Sequence, residues 1–439
     1  MCTIEWSEEA KRLTFGTLKE VVSGVPSRPD TIALHGGLPP DESLPIQSMT
    51  IKLYNEETIE VSASMSQQQY NVSAYGYEPL RSWCEVHTHQ QHAIALDTHE
   101  SIVTDSSTHA LDAVISLLLN PGDAIFIEEY TYCHFLDCTV GGNGYDPVSV
   151  PMDDDGIIPE ELRKLIKKRQ EMANHALPNG VHGYQKRIVP RVLYVIPTAQ
   201  NPTGISYSKE RRTAIYSICQ EFDIIIIEDD PYHYLQFSLE NPESQPGIRG
   251  LKTHSFLPFD TDGRVVRLDT FAKFLAPGFR LGWATGSRTI LEKLAMKIQS
   301  ETLGGNMMSQ SIVSNILQHW GEDGLDTYVS RMQRKYARKA TCALASLDKY
   351  MSGLAVWKKP VGGMFLWLQL VHVEDAMPVF LNLKQHGIVV MPGFVSLTEK
   401  NDEHGNAKKC PYIRISFSYA SEESIRQGVE RIHHILSST

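Results

Sequence analysis

The sequence predicts an α/β fold, with a mostly parallel sheet between helices and a smaller α+β domain. Five short apolar runs, rich in β-branched residues, each end in polar residues, as strands buried on both faces do. Helical patterns such as ALDAVISLLL and SKERRTAIYSICQEF separate those runs, and this alternation is typical of a parallel sheet. After about Arg331 the strand-like runs lie farther apart, which indicates the second, smaller domain.

The five predicted strands carry unusual polar residues at their carboxyl ends. Their sequences are SIVTD from Ser101, DAIFIEE from Asp123, RVLYVIP from Arg191, DIIIIEDD from Asp223 and RVVRLDT from Arg264. Ligands of open α/β sheets bind beyond the carboxyl ends of the strands. The segments at those ends are Ser106 to Thr108, Tyr130 to Tyr132, Asn201-Pro202, Asp229 to Tyr232 and Thr270 to Lys273. We therefore predict one functional site along that edge.

The length of 439 residues suits two domains. We predict an N-terminal arm over 1–30 and the first part of the small domain over 31–80. A large domain is predicted over 81–324 and the rest of the small domain over 325–439. In the small domain, VGGMFLWLQL, GIVVMPG and YIRISFS have the pattern of strands.

Composition and charge exclude several classes of partner. The net charge of −11 comes without a basic stripe, which argues against nucleic acid. No run approaches the roughly 18 apolar residues of a membrane span, so no membrane partner is expected. The seven dispersed cysteines are typical of reduced intracellular thiols. Because MCTIEWSEEAKR also lacks the apolar run of a secretory signal, we expect a cytoplasmic protein.

Lys273 is the most informative single residue. It follows an apolar strand between Phe271 and Phe274. Such a lysine is either a surface residue with its stem on apolar groups or a buried amine suited to Schiff-base chemistry. Asp229 alone would be a turn or cap residue, but Tyr232 follows three residues later and can face the same cleft.

Other polar clusters are assigned no chemistry. HTHQQH, from His87, invites a metal interpretation, but only His89 and His92 approach each other on a helix. We therefore predict a solvated helix face and no metal site. MDDDG lacks the later glutamate of a calcium loop. Of the two histidines that could contact a substrate, His35, before the Gly36-Gly37 loop, is the better candidate, and His109 is expected to be a helix residue.

Six motifs together resemble one family. They are HGGLPPDESLP, PTAQNPTG, IIIIEDDPYHYL, FAKFLAPGFRLGW, VGGMFLWL and YIRISFS, in this order. From about Ile32 to its end, the chain resembles fold-type-I, pyridoxal-phosphate (PLP) dependent aminotransferases of class I/II. It is most similar to the fungal-type aromatic amino acid and 2-aminoadipate/kynurenine aminotransferases. The resemblance implies the PLP-transferase fold, PLP as cofactor and a homodimer.

The resemblance assigns roles around the cofactor ring. Lys273 holds PLP as a Schiff base, the internal aldimine, and its freed amine then moves the α-proton. Asp229 pairs with the pyridine nitrogen, which keeps the ring an electron sink. Asn201 and Tyr232 hydrogen-bond the phenolic oxygen, and Tyr132 stacks on the ring.

The phosphate and the substrate have their own implied residues. A helix start favours an anion, which places the phosphate at Ser107 and Thr108. The resemblance also implies phosphate contacts from Thr270, Arg280 and, in the neighbouring subunit, Tyr70. Arg414 matches the arginine that binds the substrate α-carboxylate through two parallel hydrogen bonds. The resemblance also places a substrate loop within 31–80, at HGGLPPDESLP. Gly37 in that loop and Asn201 are the other implied substrate contacts.

Three positions, Ser106, Thr108 and Ala272, depart from the family pattern. Ser106-Ser107-Thr108 stands where relatives usually have Gly-Ser-Gln, and Ala272 stands where many have Ser. One phosphate or water contact is therefore missing, so cofactor affinity can differ while the chemistry survives.

The implied activity is transamination. An aromatic L-amino acid gives its amino group to PLP, and a 2-oxo acid such as 2-oxoglutarate then receives it in a ping-pong cycle. The alternative is a carbon–sulfur β-lyase that acts on cysteine conjugates in secondary metabolism, because the same carbanion can expel a β-substituent. A sensor module of a transcription regulator is disfavoured, since only about 30 residues precede the match and they are not notably basic.

Overall fold

The computed structural model describes residues 2–17, 32, 34, 37–62, 68, 73–95, 97–175, 180, 181, 184–251 and 255–437. In these ranges the α-helices are α1 Glu8–Arg12, α2 Glu78–His92, α3 Ser107–Leu118, α4 Pro159–His175, α5 Lys209–Glu221, α6 Arg288–Thr302, α7 Met307–Tyr350, α8 Met377–Gln385 and α9 Glu422–Ser437. Within α7 the helix is interrupted at Gly321, which has a non-helical backbone with φ of 58°. The strands up to residue 200 are β1 Ser48–Lys52, β2 Thr58–Ser62, β3 Glu100–Thr104, β4 Ala124–Glu128, β5 Asp146–Val150, β6 Met152–Asp153, β7 Gly156–Ile157, β8 Gly180–Val181, β9 Tyr184–Gln185 and β10 Val192–Val195. The later strands are β11 Ile225–Asp229, β12 Val265–Thr270, β13 Gly282–Gly286, β14 Ala355–Trp357, β15 Phe365–Leu370, β16 Met391–Pro392 and β17 Tyr412–Ser416.

The largest sheet has seven strands in the order β3-β13-β12-β11-β10-β4-β5. β10 pairs in parallel with both β11 and β4, and β4 pairs in parallel with β5. β13 is antiparallel to β3. The predicted α/β fold with a mostly parallel sheet is thus confirmed, and all five predicted strands are present. The prediction missed β5 and β13, because DPVSV and GWATG lack a continuous apolar run.

The chain divides into two compact units. The first contains Met1–Thr3, Leu119–Arg267 and Leu325–Thr439, and the second contains Ile4–Leu118 and Leu268–Gly324. The boundary between Arg267 and Leu268 falls within β12. The four domain ranges given above stay a prediction.

A four-stranded sheet in the first unit has the order β14-β15-β17-β16, with antiparallel neighbours. The C-terminal part of α7 packs on it through Ala337, Ala340, Leu344 and Leu347, a spacing that puts all four on one helix face. GIVVMPG forms only the two-residue β16, which ends at Pro392, a residue without an N–H to continue the ladder.

The second unit contains an aromatic cluster beside α2. Trp83 stacks on His87 with a centroid distance of 4.4 Å, and Phe271 packs against Trp283 at 4.8 Å. His87 is therefore buried, as are His89 and His92. The prediction of a solvated histidine face was wrong, because this face of α2 packs inside the unit. No cluster of three or more metal-binding side chains occurs in the described ranges, and no helix there is long and apolar enough to span a membrane.

Candidate active site

The turn at residues 106–108 in the second unit has the geometry of an anion site. β3 ends at Thr104 and α3 begins at Ser107. Ser106 caps the helix, since its Oγ accepts a hydrogen bond from the backbone N–H of His109 at 3.1 Å. The first N–H groups of a helix have no acceptor within the helix. The first two in α3 are those of Ser107 and Thr108. Such groups bind phosphate at the positive end of a helix.

Glycine at position 282 lets the backbone of β13 reach this turn. A Cβ atom at Gly282 would lie 2.7 Å from the backbone nitrogen of Ser107 and 2.6 Å from the carbonyl oxygen of Asp269. Any other residue would displace the turn. The sequence motif FRLGW contained this glycine, but only the close approach shows why the position excludes a side chain.

Lys273 lies on a turn that follows β12. The turn is fixed by Phe271 N–H donating to Leu281 O at 3.1 Å and by Leu275 N–H donating to Phe271 O at 2.9 Å. Phe271 and Phe274 are buried, whereas Lys273 is half-buried. The flanking phenyl rings thus anchor the turn, while Lys273 itself keeps part of its surface exposed, as the predicted bond to a cofactor requires.

Two more predicted phosphate residues flank that turn. Thr270, the last residue of β12, donates from Oγ1 to Leu281 O at 3.3 Å and accepts from the N–H of Ala272 at 3.1 Å. Arg280 is exposed and has a left-handed backbone with φ of 51°. Its Nη1 donates to Pro277 O at 3.2 Å. Backbone N–H groups, a hydroxyl and a guanidinium are the donors that a phosphate requires.

In the first unit, Asp229 ends β11 as a buried carboxylate. Tyr194 donates from its hydroxyl to Oδ2 of Asp229 at 2.8 Å, and its ring packs on Phe135 at 4.0 Å. Burial, and then the Asp229 charge, raise the pKa of Tyr194 well above its usual value, so Tyr194 stays a donor. Sequence reasoning missed Tyr194 within the apolar run RVLYVIP; the signal was a hydroxyl in a buried strand, which needs a partner.

Arg414, Asn201 and Tyr232 form a second group in that unit. Arg414 Nη1 donates to Asn201 Oδ1 at 2.6 Å, and its guanidinium lies 4.1 Å from the ring centroid of Phe365. Its Nε is buried and has no hydrogen-bond partner in the described ranges. Burial lowers the pKa of Arg414. Burial also raises the pKa of Tyr232, against the opposing effects of Arg414 and of a hydrogen bond with Asn201.

The remaining predicted residues are less constrained. Tyr132 is half-buried, and burial raises its pKa; its ring lies 5.7 Å from that of His134. Gly37 is exposed, with no described atom within 4 Å of a Cβ built on it. Tyr70 and His35 lie outside the described residues. His109 is a helix residue, as predicted, and pairs with Glu301 at 3.0 Å.

The residues present fit PLP. The turn at Ser107 and Thr108 offers the helix-end donors that its phosphate needs, and the tight approach of Gly282 shapes that turn. Asp229 is a buried carboxylate of the kind that holds a proton on a pyridine nitrogen. The buried Nε of Arg414 is a donor that a substrate carboxylate would satisfy.

Comparison with known proteins supports the same family. The model of the family "Aminotransferase class I and II" matches residues 56–432. The mitochondrial kynurenine/alpha-aminoadipate aminotransferase of Bos taurus is 31% identical over 441 residues, which cover 98% of this chain and 97% of that protein. An aromatic amino acid aminotransferase of Schizosaccharomyces pombe is 29% identical over 92% of this chain and 91% of its own length.

A solved structure agrees with these relatives. The crystal structure of aminotransferase Aro8 from Candida albicans superposes with a TM-score of 0.85 at 26% identity, over 99% of this chain and 97% of that one. These proteins are all aminotransferases and give no support to the lyase alternative. The resemblance, the fold type and the cofactor predicted from the motifs are thus confirmed. This chain belongs to the class I and II aminotransferases, and it is a PLP-dependent enzyme that transfers amino groups.

Proposed function

We propose that this aminotransferase takes its amino group from aromatic L-amino acids and passes it to a 2-oxo acid such as 2-oxoglutarate. The support comes from the relatives, which include aromatic amino acid aminotransferases of Schizosaccharomyces pombe and the aromatic aminotransferase Aro9 of Candida albicans. A kynurenine aminotransferase of Pyrococcus horikoshii, with an aromatic substrate in its structure, has the same fold with a TM-score of 0.71.

One observation carries the proposal: Arg414 has a buried Nε without a hydrogen-bond partner in the described ranges, while its Nη1 is held by Asn201. The planar fork of a guanidinium binds a carboxylate with two parallel hydrogen bonds. Amino acids and 2-oxo acids both carry an α-carboxylate. The same arginine therefore serves both half-reactions and orients the bond to be broken.

The other residues then have proposed tasks. PLP, when bound, withdraws electrons from the substrate Cα. Lys273 bonds the cofactor, and its freed Nζ takes the proton from Cα. Asp229 holds the proton on the pyridine nitrogen, assisted by the hydrogen bond from Tyr194. Asn201 and Tyr232 bind the phenolic oxygen, and Tyr132 covers the ring.

The remaining proposed residues bind the phosphate and the substrate. The phosphate is bound by Ser107, Thr108, Thr270 and Arg280, with Tyr70 from the neighbouring subunit, and Gly37 contacts the substrate. A homodimer follows from that assignment of Tyr70. We also propose a cytoplasmic location, which the dispersed cysteines favour. Light scattering of the purified protein tests the dimer, and fractionation of the cells that produce it tests the location.

The activity is tested with purified, PLP-loaded protein. Tryptophan or phenylalanine is mixed with 2-oxoglutarate and the glutamate formed is assayed, with Lys273→Ala as the inactive control. We expect glutamate in equal amount to the aromatic 2-oxo acid. If no amino acid of a broad panel yields glutamate, the proposal fails. Release of pyruvate and ammonia from a cysteine conjugate, without any acceptor, would instead identify a β-lyase.

A further inference from the structure

Glu128, the last residue of β4, has a fully buried carboxylate that no role assigned above explains. Tyr207 donates from its hydroxyl to Oε1 at 2.6 Å, and Gln200 donates from Nε2 to Oε2 at 2.9 Å. Thr131 Oγ1 lies 3.5 Å from Oε2. None of these partners carries a positive charge. A carboxylate buried among neutral groups is costly, so its position requires an explanation.

Gln200 transmits the position of Glu128 to the turn over residues 199–205. Its Oε1 accepts from the backbone N–H of Thr203 at 2.9 Å and from Thr203 Oγ1 at 2.7 Å. Its Nε2 also donates to Tyr130 O at 2.5 Å. Because both ends of the amide are engaged, the side chain has a single orientation, and the Glu128 carboxylate holds its donor end together with the carbonyl oxygen of Tyr130.

Gln200 and Thr131, which contact Glu128, each directly precede a residue that we assign to the cofactor site. Asn201 comes directly after Gln200, and its Oδ1 holds Arg414 Nη1 at 2.6 Å. Tyr132 comes directly after Thr131, whose hydroxyl faces the same carboxylate. Glu128 thus contacts the residue that directly precedes each of two predicted cofactor residues, Asn201 and Tyr132.

We propose that Glu128 is a positioning residue that, through Gln200, fixes Asn201 and so orients Arg414 for the substrate carboxylate. The inference rests on the proposed role of Arg414. A displacement of order 1 Å at a binding group costs about 100-fold in rate, so a rigid support behind Asn201 has a measurable effect. Burial also raises the pKa of Glu128 to about 8, against the hydrogen bonds from Tyr207 and Gln200. The negative charge therefore brings no gain of its own, and the hydrogen-bonding geometry remains as the reason for the residue.

Four variants separate positioning from stability. Glu128→Ala removes the support. Glu128→Gln is expected to restore it, because its amide oxygen accepts from Gln200 while its amide nitrogen donates to Tyr207, whose hydroxyl also accepts. Tyr207→Phe is the matched control, since it removes a hydrogen bond from the same carboxylate but keeps the link to Gln200. Gln200→Met removes the hydrogen bond to Glu128 while keeping a side chain of similar length. It therefore tests the positioning role even if Glu128→Ala does not fold.

The probe is 3-phenylpropionate, a carboxylate without an amino group, and its binding to the PLP-loaded protein is measured by calorimetry. KM and kcat for phenylalanine and the thermal denaturation midpoint are measured alongside. We expect Glu128→Ala and Gln200→Met to weaken binding of the probe and raise KM by about tenfold or more, and the other two variants to stay within about twofold of wild type. A purely structural role would lower the midpoint of Tyr207→Phe as well and leave the affinity unchanged.

The two proposals fail in different ways. Folded Glu128→Ala or Gln200→Met protein with wild-type affinity for the probe overturns the positioning role alone. If the wild-type protein neither binds the probe nor yields glutamate from any amino acid, the proposed function fails and the positioning role falls with it.

Discussion

The hydroxyl of Tyr194 donates a 2.8 Å hydrogen bond to Oδ2 of Asp229, and both groups are buried at the carboxyl ends of adjacent parallel strands. In a buried setting this bond favours the charged form of the carboxylate. An ionised Asp229 is the form that can hold a proton on the pyridine nitrogen of PLP. In the proposed function, Tyr194 therefore supports the chemistry through Asp229.

Removal of that hydroxyl is the first prediction. Tyr194→Phe keeps the ring on Phe135 but removes the donor, and a hydrogen bond to a charged group is worth about 1.5–3 kcal/mol. We expect kcat/KM to fall by about tenfold or more and the visible absorption of the bound cofactor to titrate at a different pH. The control is Tyr216→Phe, whose hydroxyl contacts Asp260, Asp262 and Thr261 in a surface loop. Equal kcat/KM in wild type and Tyr194→Phe would exclude the role.

Position 106 gives a prediction on stability. Ser106 has φ of 147°, a region that suits glycine and costs other residues about 1–3 kcal/mol. Ser106→Gly removes that strain and loses the cap to His109 N–H, but glycine is only a few tenths of a kcal/mol worse than serine at such a cap. We expect the denaturation midpoint of the PLP-free protein to rise. Ser116→Gly, in the interior of α3, should lower it, since glycine there costs roughly 0.5–1 kcal/mol. A lower midpoint for Ser106→Gly would show that the cap outweighs the strain.

The predicted phosphate turn shows what sequence could and could not give. The segment Ser106 to Thr108 was identified because a strand precedes it and a helix follows it. Both elements can be predicted from the spacing of apolar residues in the sequence. The sequence also marked Ser106 as a departure from the family glycine. It did not show the strained φ or the approach of Gly282, because both depend on how β13 packs against the turn.

Buried polar groups were the larger omission. Arg212 lies in SKERRTAIYSICQEF, where its neighbours suggest a solvated helix, yet its side chain is fully buried. Its Nη1 contacts Glu228 Oε1 at 3.0 Å, and Arg267 contacts Asp230 at 2.9 Å. A charged residue in a helix occupies the same place in the sequence pattern whether its side chain is solvated or buried in an ion pair. Only the tertiary fold distinguishes the two.

That ionic cluster gives a third prediction. Glu228 contacts Arg212, Arg267 and Ser255 around the end of β11. Glu228→Leu would leave two arginines buried without this carboxylate, and breaking a buried pair costs about 3–5 kcal/mol. We expect a large loss of soluble, folded protein on purification. Glu243→Leu is the matched control, because its pair with Arg338 is exposed and such pairs contribute about 0–1 kcal/mol. Similar yields and midpoints for the two variants would contradict the prediction.

Arg414→Lys tests the substrate fork. Lysine keeps the positive charge but lacks two parallel donors, so we expect KM to rise for the amino acid and for the 2-oxo acid alike. The loss of one hydrogen bond to a charged group corresponds to about 10- to 100-fold. Arg338→Lys, on the exposed pair with Glu243, should leave both KM values unchanged. A rise for only one of the two substrates would mean that Arg414 does not bind the carboxylate that they share.

The buried carboxyl of Glu128 predicts a pH dependence of stability. Its pKa in the folded protein is raised to about 8 from 4.5 by burial, so between these values the folded state holds the proton more tightly than the unfolded chain. The contribution of this group to stability is complete below about pH 4.5 and is lost as the pH rises through 8. Glu128→Gln cannot titrate. We therefore expect the wild-type midpoint, relative to that of Glu128→Gln, to decrease steadily between pH 5 and about 8 and then to level off. Parallel curves for the two proteins would show that Glu128 is ionised in the fold at all these pH values, with its charge stabilised by the hydroxyl of Tyr207 and the amide of Gln200.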